Sequence, residues 1–140
     1  MEKYLSTDGL LLTVTGGKLT AQNISWWLSS ADYTDRIDMS FEEVSGGLAR
    51  LIAGGLLEIK NNAVKITKKG KKVLSSFHCW LMGAVDYQLW VRERIQKEEY
   101  DESALPKEIY VTRELYDEAF KLYTDRWQRE LEKMSRKHKK

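Results

Sequence analysis

Two histidines, one cysteine, two of the three glycine pairs and clusters of lysine and arginine are the residues of this chain whose types could carry chemistry. His78 and His138 lie far apart, and neither belongs to a His-Glu-x-x-His spacing, which would set two metal ligands on one helix face. His78 falls in an apolar helical run and reads as structural. Cys79 follows it directly, so on a helix the two side chains point about 100° apart. No basic cluster surrounds the thiol in sequence, and it reads as buried and inert. Gly46-Gly47 falls inside a helical pattern and Gly54-Gly55 ends it, with no P-loop lysine after either pair. No catalytic constellation, metal set or cofactor motif results, and the chain reads as a non-enzyme.

Charge is more informative. The net charge of +2 is too small to name a partner, but its distribution is uneven. From Glu58 to Lys72 there are six lysines (Lys60, Lys65, Lys68, Lys69, Lys71 and Lys72) against one acid, and the last five residues, Arg136 to Lys140, hold no acid at all. Between these basic clusters, Glu98, Glu99, Asp101 and Glu102 form an acidic patch beside Ser103 and the only proline, Pro106, and read as a loop joining helices. The bland account of the lysines is a solvated face; the sharper one is contact with phosphates.

The elements that would position these residues are clearest from Ser40 to Gly70. Ser40 and Glu43 match a capping box, after which Phe41, Val44, Leu48, Leu51 and Ile52 recur at helical spacing. Gly54 and Gly55 can take the left-handed conformation that stops a helix. Residues 56–60 and 63–67 then read as two strands around an Asn61-Asn62 turn, and Thr67 is placed to cap another helix. Upstream, Ser6 or Thr7 can cap a short helix through Leu10, Leu11 and Val14, with Leu19 at the sheet edge. Thr20 caps a second helix whose Ile24, Trp27, Leu28 and Ala31 share a face, ending near Asp32 to Asp35. The order predicts a mainly α fold with a small β-hairpin: a winged helix-turn-helix over residues 1–74, followed by a helical extension over 75–140.

The residues LARLIAGGLLEI and ITKKG resemble the end of the recognition helix and the wing of winged-helix bacterial transcription regulators, broadly of the MarR and PadR kind. The likeness covers roughly the first half of the chain, and it implies a DNA-binding fold of three helices and a small sheet, working as a dimer. In that geometry the helix over 40–53 would present Glu42, Ser45, Gly46, Ala49 and Arg50 to a major groove. Arg50 is the only cation there and could grip guanine O6 and N7 with two hydrogen bonds; Ser45 could meet a base edge or a phosphate. Lys60, Asn61, Asn62, Lys65 and Lys68 of the wing would approach the backbone or minor groove. Double-stranded DNA is the expected partner and transcription regulation the expected role. The rival is a protein-interaction winged helix without DNA binding, favoured by the acidic start and glycine-rich face of the presumed reading helix.

Beyond Gly70, Val73, Leu74, Phe77, Trp80, Leu81, Val85, Leu89 and Trp90 continue at helical spacing, with a bend expected at Gly83. A last helix begins near Thr112 and carries Tyr116, Phe120, Tyr123, Trp127, Leu131 and Met134 on one stripe. Each large aromatic can bury about 150 to 250 Å², so this stripe packs either on its own chain or on the matching helix of a second subunit. The homodimer through the C-terminal helices is the expectation that the resemblance supplies. Trp26, Trp80, Trp90 and Trp127 invite a pocket for a planar small-molecule effector, although core packing is the commoner use of such residues. The basic tail can extend DNA contact or simply end a helix. With 140 residues, 42% of them hydrophobic, the chain can fill a core. A lone cysteine, no N-terminal basic-then-apolar run, and apolar stretches well short of the roughly 20 residues that span a bilayer lead to the expectation of a cytoplasmic protein with no membrane segment.

Overall fold

The structure, a computed structural model, describes residues 1–35, 38–75 and 84–137. Their elements are β1 (Glu2–Lys3), α1 (Ser6–Val14), β2 (Gly17–Lys18), α2 (Ala21–Asp35), α3 (Phe41–Ala53), β3 (Leu57–Lys60), β4 (Ala63–Ile66), α4 (Lys68–Ser75), α5 (Ala84–Ile95), β5 (Glu99–Tyr100), a 3-10 turn (Glu102–Ala104) and α6 (Arg113–Lys137). The run from α1 to β4 has the element order of a winged helix-turn-helix, and a small sheet is set among helices as expected. No helix among the described residues is long and apolar enough to cross a membrane.

Local hydrogen bonds explain where the helices start. Ser40 Oγ accepts from Glu43 N at 3.1 Å while Ser40 N donates to Glu43 Oε1 at 3.0 Å, which satisfies two amides at the head of α3. Thr20 Oγ1 accepts from Asn23 N at 3.2 Å and Thr67 Oγ1 from Gly70 N at 3.1 Å, so the two expected threonine caps open α2 and α4; Thr112 Oγ1, accepting from Leu115 N at 3.1 Å, adds a third at α6. The start of α1 differs: Leu5 holds the cap position, and its amide donates to Asp8 Oδ2 at 2.8 Å. Neither Ser6 nor Thr7 caps this helix, because the carboxylate one turn inside it reaches back instead.

At the end of α3 Gly55 alone of its pair is left-handed, with φ +76°; Gly54 stays right-handed at −82°. Asn61 and Asn62 both have positive φ, 53° and 57°, the backbone that a two-residue hairpin with a primed turn requires. β3 pairs with β4 from Leu57 opposite Ile66 to Lys60 opposite Ala63, and β2 adds the third strand with Gly17 opposite Val64 and Lys18 opposite Ala63. The sheet edge is therefore Gly17–Lys18, whereas Leu19 is buried and donates its amide to Asn62 O at 2.9 Å.

The C-terminal extension is built into the body. β1 pairs with β5, Glu2 opposite Tyr100 and Lys3 opposite Glu99, tying the first residues to a segment that reads as loop from sequence. α1 packs on α5 and α2 on α6. Leu10, Leu11, Ile24, Leu48, Leu51 and Val64 of the first half join Ile95, Tyr100, Val111, Tyr116, Ala119 and Tyr123 of the second in a continuous buried cluster. Residues 1–74 and 75–140 thus share their core. The expected bend at Gly83 lies outside the described residues, as do His78, Cys79, Trp80 and His138.

Candidate nucleic-acid interface

Arg50 lies in the last turn of α3 and faces α1. Its Nε donates to Asp8 Oδ2 and its Nη2 to Asp8 Oδ1, both at 2.8 Å, a two-point grip on a carboxylate that is fully buried. The hydrogen bond to Asp8 holds the guanidinium more firmly protonated than usual, against the opposing effect of burial. Gly47 makes the approach feasible, since a Cβ there would stand 2.9 Å from Asp8 Oδ1 and 2.8 Å from Leu11 Cδ2. Of the guanidinium expected to meet guanine O6 and N7, the Nε and Nη2 edge is engaged by Asp8. A buried carboxylate without a partner is far more costly than a surface arginine without one, so the ion pair wins. The signal was an aspartate in the third position of an apolar helix, SerThrAspGlyLeuLeuLeu, which called for a cation elsewhere in the chain.

The rest of the presumed reading face is covered. Among the thirteen residues of α3 Glu42 alone is exposed; Ser45, Gly46 and Ala49 are half-buried. With Leu48 they line a cavity of about 140 Å³ whose other wall is Pro106, Glu108, Ile109 and Tyr110 of the connector before α6. At the head of the helix Arg113 stands over the Phe41 ring at 5.2 Å and 3.8 Å from the Glu42 carboxylate, and Tyr116 meets Phe41 edge-on at 5.9 Å. Tyr116 Oη donates to Met39 O at 2.6 Å. Periodicity in α3 gave no hint of this cover, because the residues that supply it lie more than fifty positions downstream.

The wing, by contrast, is open to solvent. Strand register puts Lys18, Ala63 and Lys60 in one row across the sheet and Lys65 opposite Glu58 in the next, while Gly17, Val64 and Ile59 form a row on the core side. Lys18, Lys60 and Lys65 are exposed on the outer face, Asn61 and Asn62 are exposed at the tip, and Lys68, Lys71 and Lys72 are exposed on α4. Lys69 is engaged, donating to Gly54 O at 2.9 Å at the end of α3. Of the expected contact residues, Lys60, Asn61, Asn62, Lys65 and Lys68 face solvent, whereas Ser45 and Arg50 face other parts of the chain. Lys18 belongs with the first group, and only the strand pairing reveals it.

A second surface lies between α2 and α6. Tyr123 Oη donates to Asp32 Oδ2 at 2.8 Å and to Asp38 Oδ1 at 3.1 Å, and burial with these two carboxylates pushes its phenol well above the ordinary tyrosine range. Arg126 stacks on Trp26 at 3.6 Å and donates to Ser29 Oγ at 3.0 Å. Burial is the main cause that lowers the Arg126 pKa, followed by the neighbouring Arg129. A groove of about 1150 Å³ opens here, with Trp26, Trp127, Arg129, Glu130 and Lys133 on its walls. Of the tryptophans considered for an effector pocket, Trp26 and Trp127 share this groove, Trp90 is half-buried on α5, and Trp80 is outside the described residues.

No family model, curated protein or solved structure matches this chain.

Proposed function

We propose that the protein is a winged-helix interaction module, the fold serving assembly rather than base reading. The observation that carries this is the state of α3: its only cation is paired with Asp8, and the face expected to meet DNA lies beneath the connector. A helix that reads bases needs several side chains free to enter the groove. The assembly surface is the end of α6. Tyr116 and Tyr123 of its stripe are buried in the chain's own core, but Trp127, Leu131 and Met134 are 54%, 47% and 56% exposed, beside Trp26 at 52%. A second copy of the chain, joined through these C-terminal helices, is the partner that this reading names. Solution mass tests it: the native chain should sediment as a dimer of 16.3 kDa subunits at micromolar concentration. Trp127→Glu with Leu131→Glu should give a folded monomer, and a native chain that is monomeric up to about 100 μM would sink the dimer.

A second reading, a transcription regulator contacting duplex DNA, is favoured by the lysines of the wing. Lys18, Lys60, Lys65, Lys68, Lys71 and Lys72 are exposed with Glu58 as the only acid among the paired residues of β3 and β4. Such a face would grip phosphates rather than bases, with affinity falling steeply as salt rises. Anisotropy titration of a mixed-sequence duplex at about 50 and 200 mM salt tests it. Absence of binding at the lower salt rejects this reading and leaves the module.

A further inference from the structure

The connector from Asp101 to Tyr110 is an unusual cover for a helix face, because so little holds it down. Of its ten residues only Pro106 and Tyr110 are even half-buried, and Ile109 is 66% exposed. Its hydrogen bonds are local: Ser103 N and Oγ donate to Asp101 Oδ1 at 2.9 and 2.7 Å, Ala104 N to Asp101 O at 2.9 Å, and Leu105 N to Glu102 O at 3.2 Å. Among the described hydrogen bonds none joins it to α3, and the 140 Å³ cavity beneath Pro106 and Tyr110 shows that the two surfaces do not interlock. Both ends, in contrast, are anchored, by the pairing of β5 with β1 and by buried Val111. A segment fixed at its ends, bonded within itself and loosely seated in the middle can lift without unfolding the body.

We propose that this connector is a displaceable strap that withholds α3 from nucleic acid. Closed, it occupies the Ser45, Gly46 and Ala49 face and sets Asp101, Glu102 and Glu108 where their charges repel phosphates. Lifted, it uncovers that face on the helix that runs directly into the lysine-bearing wing, so that both can lie on one duplex. Arg50 stays on Asp8 in either state, so the open form recognises DNA by backbone contact and shape more than by bases. The proposal rests on the second reading above, contact of the wing with DNA, and names the regulation of that surface. The apparent affinity of the native chain is lowered by the fraction of molecules that are closed.

The test compares the native full-length chain with Pro106→Gly/Tyr110→Gly, which removes the two half-buried contacts, and with Glu102→Lys/Glu108→Lys, which alters only exposed charges. Circular dichroism checks that each retains the native helix content. Anisotropy with a mixed-sequence duplex at low salt should show both variants binding at least roughly tenfold tighter than the native chain. Adding Lys60→Glu/Lys65→Glu should abolish the gain. If the glycine variant does not fold, the charge variant carries the test. Equal binding by native chain and variants overturns the strap and leaves DNA contact by the wing standing. No binding by any of them overturns both.

Discussion

α3 and the wing hairpin follow one another in the chain, yet they use their polar residues in opposite ways. α3 turns its arginine inward to a buried aspartate and leaves one of its thirteen residues exposed, while the hairpin shows lysines and asparagines to water on every outward position except Glu58 and Ala63. Both belong to the surface that sequence alone would assign to one DNA duplex. The contrast teaches that a charged residue on the outward arc of a helix is not thereby a contact residue. What decides is whether some other element carries a buried group that needs it.

The strongest way to break that contrast is to free the arginine's partner. Arg50→Ala should destabilise the fold by about 3 to 5 kcal/mol, since it strands a buried carboxylate. In urea titrations the double variant Asp8→Ala/Arg50→Ala should lose less than Arg50→Ala alone. Equal losses would mean that Asp8 does not depend on Arg50, and α3 would again have a cation to offer.

A smaller effect, on the order of 2 kcal/mol, is expected at Tyr4, which is buried against the end of α3. Its hydroxyl finds no hydrogen-bond partner among the described residues, and burial, helped by the charge of Asp8, raises its pKa from 10.0 to about 12. The neutral phenol is the form that fits. Its contribution is complete below pH 10 and is lost as pH rises toward 12. Tyr4→Phe should therefore match the native chain at pH 7 and surpass it near pH 11; parallel stability curves across that range would contradict the assignment.

The smallest effect belongs to the wing. Lys60→Glu/Lys65→Glu should change stability by less than about 0.5 kcal/mol, as exposed charges do, while removing any salt-sensitive affinity for polyanions. A large loss of stability would show that the hairpin's lysines serve the fold, which would erase the difference from α3.

The reach of sequence reasoning here follows the reach of the interactions. The Ser40-Glu43 box, the threonine caps at 20 and 67 and the Asn61-Asn62 turn all act within four residues, and residue type alone reveals them. The Asp8 to Arg50 pair, the β1 to β5 pairing and the connector's seat on α3 join positions forty to a hundred apart. An arginine that will clasp an aspartate looks the same in sequence as one that will meet water. The aromatic stripe of α6 shows both limits at once. Its period is right throughout, but nothing in it distinguishes Tyr123, buried on α2, from Trp127, one turn further on and half uncovered.

The pairing of β1 with β5 has a consequence for synthesis. Translation delivers roughly 5 to 20 residues per second, so Glu2 and Lys3 must wait several seconds for Tyr100 and Glu99 to leave the ribosome, and α1 and α2 wait in the same way for α5 and α6. During that interval the nascent first half leaves Leu10, Leu11 and Ile24, which the finished fold buries, open to water.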